Sequence, residues 1–562
     1  MIDLFGKPYY LSEEDISWVM KTKEKMSIDE KIGQLFCPIG MSNDSNYLDE
    51  NLLKYNIGGI LYRNGIAEEM QDTHRYLQQK SKIPMFIAAN LEAGGDGIAI
   101  DGTSFGKQMQ VSATGDSKHA YRLGLVSCSE GAAVGCNWTF APVVDIDMNF
   151  RNPITNVRTY GSSYKTVIDM SKEYMRAARE CDVAVSIKHF PGDGVDEVDQ
   201  HLLTSVNSLS CEEWDKTYGE VYKELIDEGA LTVMIGHIAM PSYQKYFNPN
   251  FQEKVIPATL SKEITTNLLR KKLGFNGLIV TDATPMVGFT AAMEREKAVP
   301  YSIACGCDVF LFNKDLKEDY IFMKKGYEDG IISDERLDEA IIRILATKAA
   351  LKLHKKQESN SLVPDKKHLS VIGCEKHKKW AHECADEAAT LIKDTQQLLP
   401  ISPKKHKRVL LEILGDFQSN ERVEVKLTEL LIKEGFEVIP YKKEDFTMPI
   451  DNVSDIKRKY DLVLYIANIE NASNKTVSRI NWYTFFGLGN NLPWFVEEVP
   501  TLFVSVGNPY HLLDVPMIKT FVNCYSNNDI MLETVVEKML GRSEWKGISP
   551  VDSFCGKEYL KY

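Results

Sequence analysis

The sequence predicts an α/β fold, a (β/α)8 TIM-like barrel followed by a smaller three-layer α/β domain, on three observations. Over the first 350 residues, short apolar runs alternate with amphipathic helical stretches, the pattern of repeated βα units. There are eight such runs, the number a closed barrel needs. Five of them end in polar residues, where barrel enzymes mount their chemistry. At 562 residues the chain also exceeds one ordinary core, so more than one domain is expected.

The eight expected strands span 32–38, 57–62, 85–89, 138–144, 183–187, 231–235, 278–280 and 309–312, each apolar enough to be buried on both faces. Between them, 212–227 and 262–272 place apolar residues at helical spacing, and Ser261 with Glu263 supplies a helix-start signal for the second. The barrel is assigned to residues 1–353. The polar run from His354 to Ser361 lacks apolar periodicity and opens a linker, 354–370. Residues 371–562 form the second domain, an α/β sandwich with strands at 409–414, 462–467, 501–506 and 521–525. Within it, Gly487-Leu488-Gly489 and Gly507-Asn508-Pro509 complete no nucleotide fingerprint and are read as turns. Arg479, Asn481 and Trp482 make a polar–aromatic cluster, with Trp482 expected in the core.

A net charge of −13, with no basic stripe interleaved with aromatics, argues against a nucleic-acid surface. No segment has the apolar length of a membrane span, and Met1–Lys7 lacks the basic head and apolar stretch of an export signal. Eleven scattered cysteines, an odd number, fit reduced thiols, so the expected home is the cytoplasm. No compact His/Cys/Asp/Glu cluster suggests a metal, and no cofactor is implied.

The polar strand ends define the candidate site. They are Asn90-Leu91-Glu92 after strand three, Asp145 after four, Lys188-His189 after five, His237 after six and Asp282 after seven. A carboxylate at Asp282 has the chemistry of a nucleophile, a general base or a metal ligand, and covalent glycoside chemistry needs such a group plus a separate proton donor. His201 offers that donor, because histidine titrates near neutrality and Asp199 beside it would orient it. Asp196 and Glu197 are rivals, with surface solvation as their expected fate.

These residues resemble family-3 glycoside hydrolases, in the branch of bacterial β-N-acetylglucosaminidases. The resemblance spans essentially the whole chain. It rests on Lys188-His189-Phe190-Pro191-Gly192 with Asp199-x-His201, on Pro257-Ala258-Thr259-Leu260-Ser261 with Thr281-Asp282-Ala283, and on Ala141-Pro142-Val143-Val144-Asp145 with Arg158-Thr159-Tyr160-Gly161. It implies that Asp282 forms the covalent glycosyl-enzyme and that His201, paired with Asp199, moves the proton. Arg158, Lys188, His189, Asn90, Glu92 and His237 would hold the sugar.

The implied activity is retaining, exo-acting hydrolysis of terminal β-linked N-acetylglucosamine from peptidoglycan fragments or chito-oligosaccharides, in cell-wall recycling. The small carbohydrate is the only implied partner. Two other readings stand beside it: a phosphorylase that uses inorganic phosphate on N-acetylglucosaminides or glucosides, and a non-catalytic sugar-binding protein. The chain departs from the branch pattern twice, with Gly192-Asp193-Gly194 for Gly-His-Gly and Asn90-Leu91-Glu92-Ala93-Gly94 for Asp-Gln-Glu-Gly-Gly. Asn90 gives up a charge-assisted acceptor, which leaves two readings: Glu92 compensates, or the sugar differs.

Overall fold

Parallel strands covered on both faces require unbroken apolar runs, and eight of them form a ring. The computed structural model describes residues 2–252, 255–415, 418–441, 452–485, 488–489 and 491–562. The strands are β1 (Phe36–Cys37, continued past Pro38 as Ile39–Gly40), β2 (Gly59–Tyr62), β3 (Phe86–Ala89), β4 (Trp138–Thr139), β5 (Ala184–Phe190), β6 (Thr232–Ile235), β7 (Leu278–Thr281) and β8 (Phe310–Leu311). From β1 to β7 each pairs in parallel with the next. Closure comes through β8, which pairs with Phe36–Cys37 on one side and reaches β7 through a Val280–Val309 bridge on the other. Pro38 divides β1, so that its first half serves β8 and its second half serves β2.

Internal contacts divide the chain into two units. The first is Met1–Phe105, Ala120–Thr155 and Ser163–Lys378, and the second is Gly106–His119, Asn156–Ser162 and Lys379–Tyr562. The stretch expected as a linker, 354–370, therefore belongs to the first unit. It begins in the helix Leu353–Glu358, where His354 is buried, stacks on Trp18 at 4.6 Å and bonds Asp15 at 3.0 Å.

Local differences have local causes. The apolar start of the expected first strand is the helix Ile28–Gln34, which Ser27 and Glu30 close with a capping box. The expected helix 212–227 breaks at Thr217, whose backbone (φ −125, ψ −93) is not helical, leaving Cys211–Asp215 and Tyr218–Asp227. In the second unit Gly487 lies outside the described residues. Leu488–Gly489, expected as a turn, pairs antiparallel with Thr484–Phe485.

The second unit is built on β9 (Thr390–Asp394), β10 (Arg408–Leu414), β11 (Glu437–Pro440), β12 (Leu462–Ala467), β13 (Thr501–Ser505) and β14 (Thr520–Asn523). They lie in the order β9–β14–β13–β12–β10–β11, parallel except for β9. Val409, Leu411, Leu464 and Val504 pack on one face with Leu427 and Val535 from two helices. Leu410, Tyr465, Phe503 and Phe521 pack on the other with Ile456. Helices on both faces make the three expected layers. Trp482 packs partly buried against the second cluster, edge-on to Tyr465. The sequence reading missed β9 and β11. They are the two edge strands, and their polar or half-exposed residues carry no buried-strand signal.

Glu412 on β10 is a buried acid among these apolar residues, with Asn491 Nδ2 donating to its Oε1 at 2.7 Å. Burial pushes its carboxyl up to about 8 from 4.5. The unfolded chain ionises at the lower value and the folded chain at the higher. Stability is therefore complete below the unfolded value and is lost as pH rises through the folded one. Glu412→Gln is expected to raise stability by about 3 kcal/mol at neutral pH, with the gain vanishing near pH 4.5. Thermal melting across that range checks it, and a gain independent of pH would refute it.

Candidate active site

A regular strand sends successive side chains to opposite faces, yet Lys188 and His189 both serve the mouth of the ring. The β5–β6 register shifts between Ile187 and Phe190, an irregularity that re-aims the side chains. Lys188 Nζ then pairs with Glu92 Oε1 at 2.6 Å, beyond the end of β3. Alongside β5, Val143 bridges Lys188 and the Val144 N–H donates to its carbonyl, which brings Asp145 opposite His189. Asp145 Oδ2 lies 2.7 Å from His189 Nδ1, and its Oδ1 accepts from the N–H groups of His189 and Asp193. A carboxylate only accepts, so Nδ1 carries the proton. The other ring nitrogen, Nε2, faces Asp282 Oδ2 at 3.8 Å.

Asp282 follows β7 and is mostly buried, with the Ala283 N–H donating to its Oδ1 at 2.7 Å. Burial alone would raise its carboxyl. The nearby histidines, His189 first, and the Ala283 N–H outweigh burial and hold it below the usual carboxylate range. The group is ionised at neutral pH and loses its charge only well into acid.

His201 and Asp199 close a pair within one loop. His201 Nδ1 lies 2.6 Å from Asp199 Oδ1, which also accepts the His201 N–H at 2.9 Å. Asp199 is buried while the His201 ring stays partly exposed. Gln200, between them, is pinned at both ends. Its Oε1 accepts from the His237 N–H at 2.7 Å and its Nε2 donates to Asp193 Oδ2 at 3.3 Å. Its carbonyl accepts from Gly288, and that of His201 from Val287.

Lys188, His189, Glu92, Asp199, His201 and Asp282 thus lie in the first unit, held by the contacts above. Asn90 is exposed directly after β3. Arg158 ends the short turn Asn156–Arg158, in a segment that groups with the second unit. His237 corrects the expectation that it holds sugar. It is fully buried, its Nε2 donates to Ala283 O at 2.9 Å, and its Nδ1 accepts from Thr259 Oγ1 at 3.0 Å. Both nitrogens are spent inside the protein, so it buttresses the segment behind Asp282. Burial lowers its pKa, in keeping with a neutral ring.

Asp196 is a second correction. It accepts from Val206 N, Val198 N and Ser205 Oγ, and so holds a turn rather than facing solvent. Asp193 is buried, with Asn152 Nδ2 and Gly194 N donating to its Oδ1. Burial, then Asp145 nearby, pushes its carboxyl well above the ordinary value. The sequence reading listed Asp145 as a strand end and motif residue without a role, and passed over Gln200. Among the described residues no group of three His, Cys, Asp or Glu side chains could hold a metal ion, and no helix is long and apolar enough to cross a membrane.

An ionised carboxylate and an Asp–His pair at the mouth of a parallel ring suit covalent chemistry at a sugar carbon. Residues 27–347 match the profile of the glycosyl hydrolase family 3 N terminal domain. The chain belongs to glycosyl hydrolase family 3. This family 3 enzyme is 42% identical over 569 residues to a beta-N-acetylglucosaminidase/beta-glucosidase of Cellulomonas fimi, covering 99% of each chain. It is 45% identical to the beta-glucoside phosphorylase BglX, solved bound to 2FGlc, with a TM-score of 0.93 over 98% of this chain and 99% of that one. A family 3 beta-N-acetylglucosaminidase from Paenibacillus sp. str. FPU-7, 21% identical, shares the fold with a TM-score of 0.80, covering 94% and 99%.

Proposed function

We propose that the protein is a retaining, exo-acting β-glycosidase that releases terminal β-linked N-acetylglucosamine or glucose. Asp282 attacks the anomeric carbon, and His201, oriented by Asp199, protonates the departing oxygen. His201 then deprotonates the incoming acceptor, so that configuration is retained. The observation that carries this reading is the ionised Asp282 facing His189 in the same unit as the Asp199–His201 pair. Lys188, His189 and Glu92 supply polar groups for the sugar's hydroxyls, with Asn90 as a further contact. The eleven unpaired cysteines support a reducing compartment, and we assign the cytoplasm.

A second reading, phosphorolysis, is favoured by the proton carrier itself. An imidazole, unlike a carboxylate, presents no negative charge to an incoming phosphate anion, and the 45% identical relative is a phosphorylase by name. Aryl β-glucoside and aryl β-N-acetylglucosaminide, each assayed with and without inorganic phosphate, separate the readings. Sugar 1-phosphate with faster turnover establishes phosphorolysis, while free sugar at a rate indifferent to phosphate establishes hydrolysis. No turnover of either glycoside would overturn both.

A further inference from the structure

The parallel strands of the second unit lie in the order β11–β10–β12–β13–β14, so the chain reverses its direction of progress between β10 and β12. In open α/β sheets, the crevice outside the carboxyl ends of the strands at such a reversal is where ligands bind. A cavity of about 540 Å³ opens at this place. It is lined by Gly415, the first residue beyond β10, by Ile469, just beyond β12, and by residues of the segment 474–481. Gly415 has φ +133, and a Cβ there would sit 2.5 Å from Asn468 O, so glycine permits the two strand ends to approach.

Among the described residues the lining is cationic: Lys475 and Arg479 contribute charge, Thr476 and Asn481 contribute polar groups, and none of these described lining residues is a carboxylate. Arg479 is held in orientation: its Nε and one Nη engage Asp514 Oδ1, and Asp514 Oδ2 lies 2.9 Å from Nδ1 of the fully buried His511. A planar, pre-oriented guanidinium suits phosphate oxygens better than a freely rotating ammonium does. The volume lies in the range of about 300–1,000 Å³ typical of small-molecule sites and exceeds what a bare oxyanion fills.

We propose that this cavity binds a phosphate monoester of monosaccharide size, with the phosphate on Arg479 and Lys475 and the sugar in the remaining space. The proposal does not rest on the catalytic roles assigned above. The test uses the full chain carrying Asp282→Asn, so that nothing is turned over, titrated calorimetrically with glucose 1-phosphate and with inorganic phosphate. Saturable binding of glucose 1-phosphate, at least tenfold tighter than of phosphate, is expected. It should weaken at least tenfold in Arg479→Gln and in Thr476→Glu, the latter placing a carboxylate at an exposed lining position that does not disturb the core. Phosphate binding as tight as glucose 1-phosphate would overturn the monoester in favour of the free ion. No binding, or affinity unchanged in both folded variants, would overturn the site.

Discussion

Asp282→Ala is expected to lower turnover of an aryl β-glycoside by on the order of 10⁴-fold or more while leaving the fold intact. The backbone anchor of this position, Asp282 N to Ile235 O at 2.8 Å, does not depend on the side chain, so thermal melting should move little. What is removed is the carboxylate proposed to form the covalent intermediate, which the nearby histidines, His189 first, and the Ala283 N–H hold below the usual carboxylate range. Azide, small and anionic, should enter the space left by the carboxylate and restore turnover of an activated substrate, yielding a glycosyl azide of inverted configuration. Retention of more than about one per cent of activity would remove Asp282 from the reaction.

His201→Ala should divide substrates by leaving group. Proton donation contributes about 10²–10⁴-fold where the leaving oxygen is basic and little where it is not. Alkyl and sugar aglycones should therefore lose that factor, while a dinitrophenyl glycoside should still form the intermediate quickly and then stall, visible as a burst. Asp199→Asn should produce a milder version of the same pattern, because an amide can hold the ring but cannot stabilise its protonated form. A loss of equal size for every aglycone would show that His201 acts by shaping the site and transfers no proton.

The ring of strands and the polar load at its mouth were legible because apolar runs and their polar ends are local in the chain. Lys188, His189, Asp199, His201 and Asp282 each announced themselves in this way. What was hidden was partnership. Asp145 meets His189 across 44 residues and Glu92 meets Lys188 from another strand, and only the side-by-side packing of β3, β4 and β5 creates either pair. His237 misled because a histidine at a strand end looks available, whereas Thr259 and Ala283 consume both its nitrogens. The linker misled because a polar run without apolar periodicity was taken for a boundary, although His354 buries its ring against Trp18.

The span from Asp199 to His201 has a consequence for how such an enzyme changes. Asp282 directly follows a barrel strand and the Lys188–His189 pair rides on one, where a register slip would be ruinous. The proton carrier, its orienting partner and its tether Gln200 occupy three consecutive residues of one loop. On the proposed roles, proton delivery is therefore confined to one short loop. A loop exchange there would rewrite or remove it while leaving in place the residues proposed to hold the sugar and form the covalent bond.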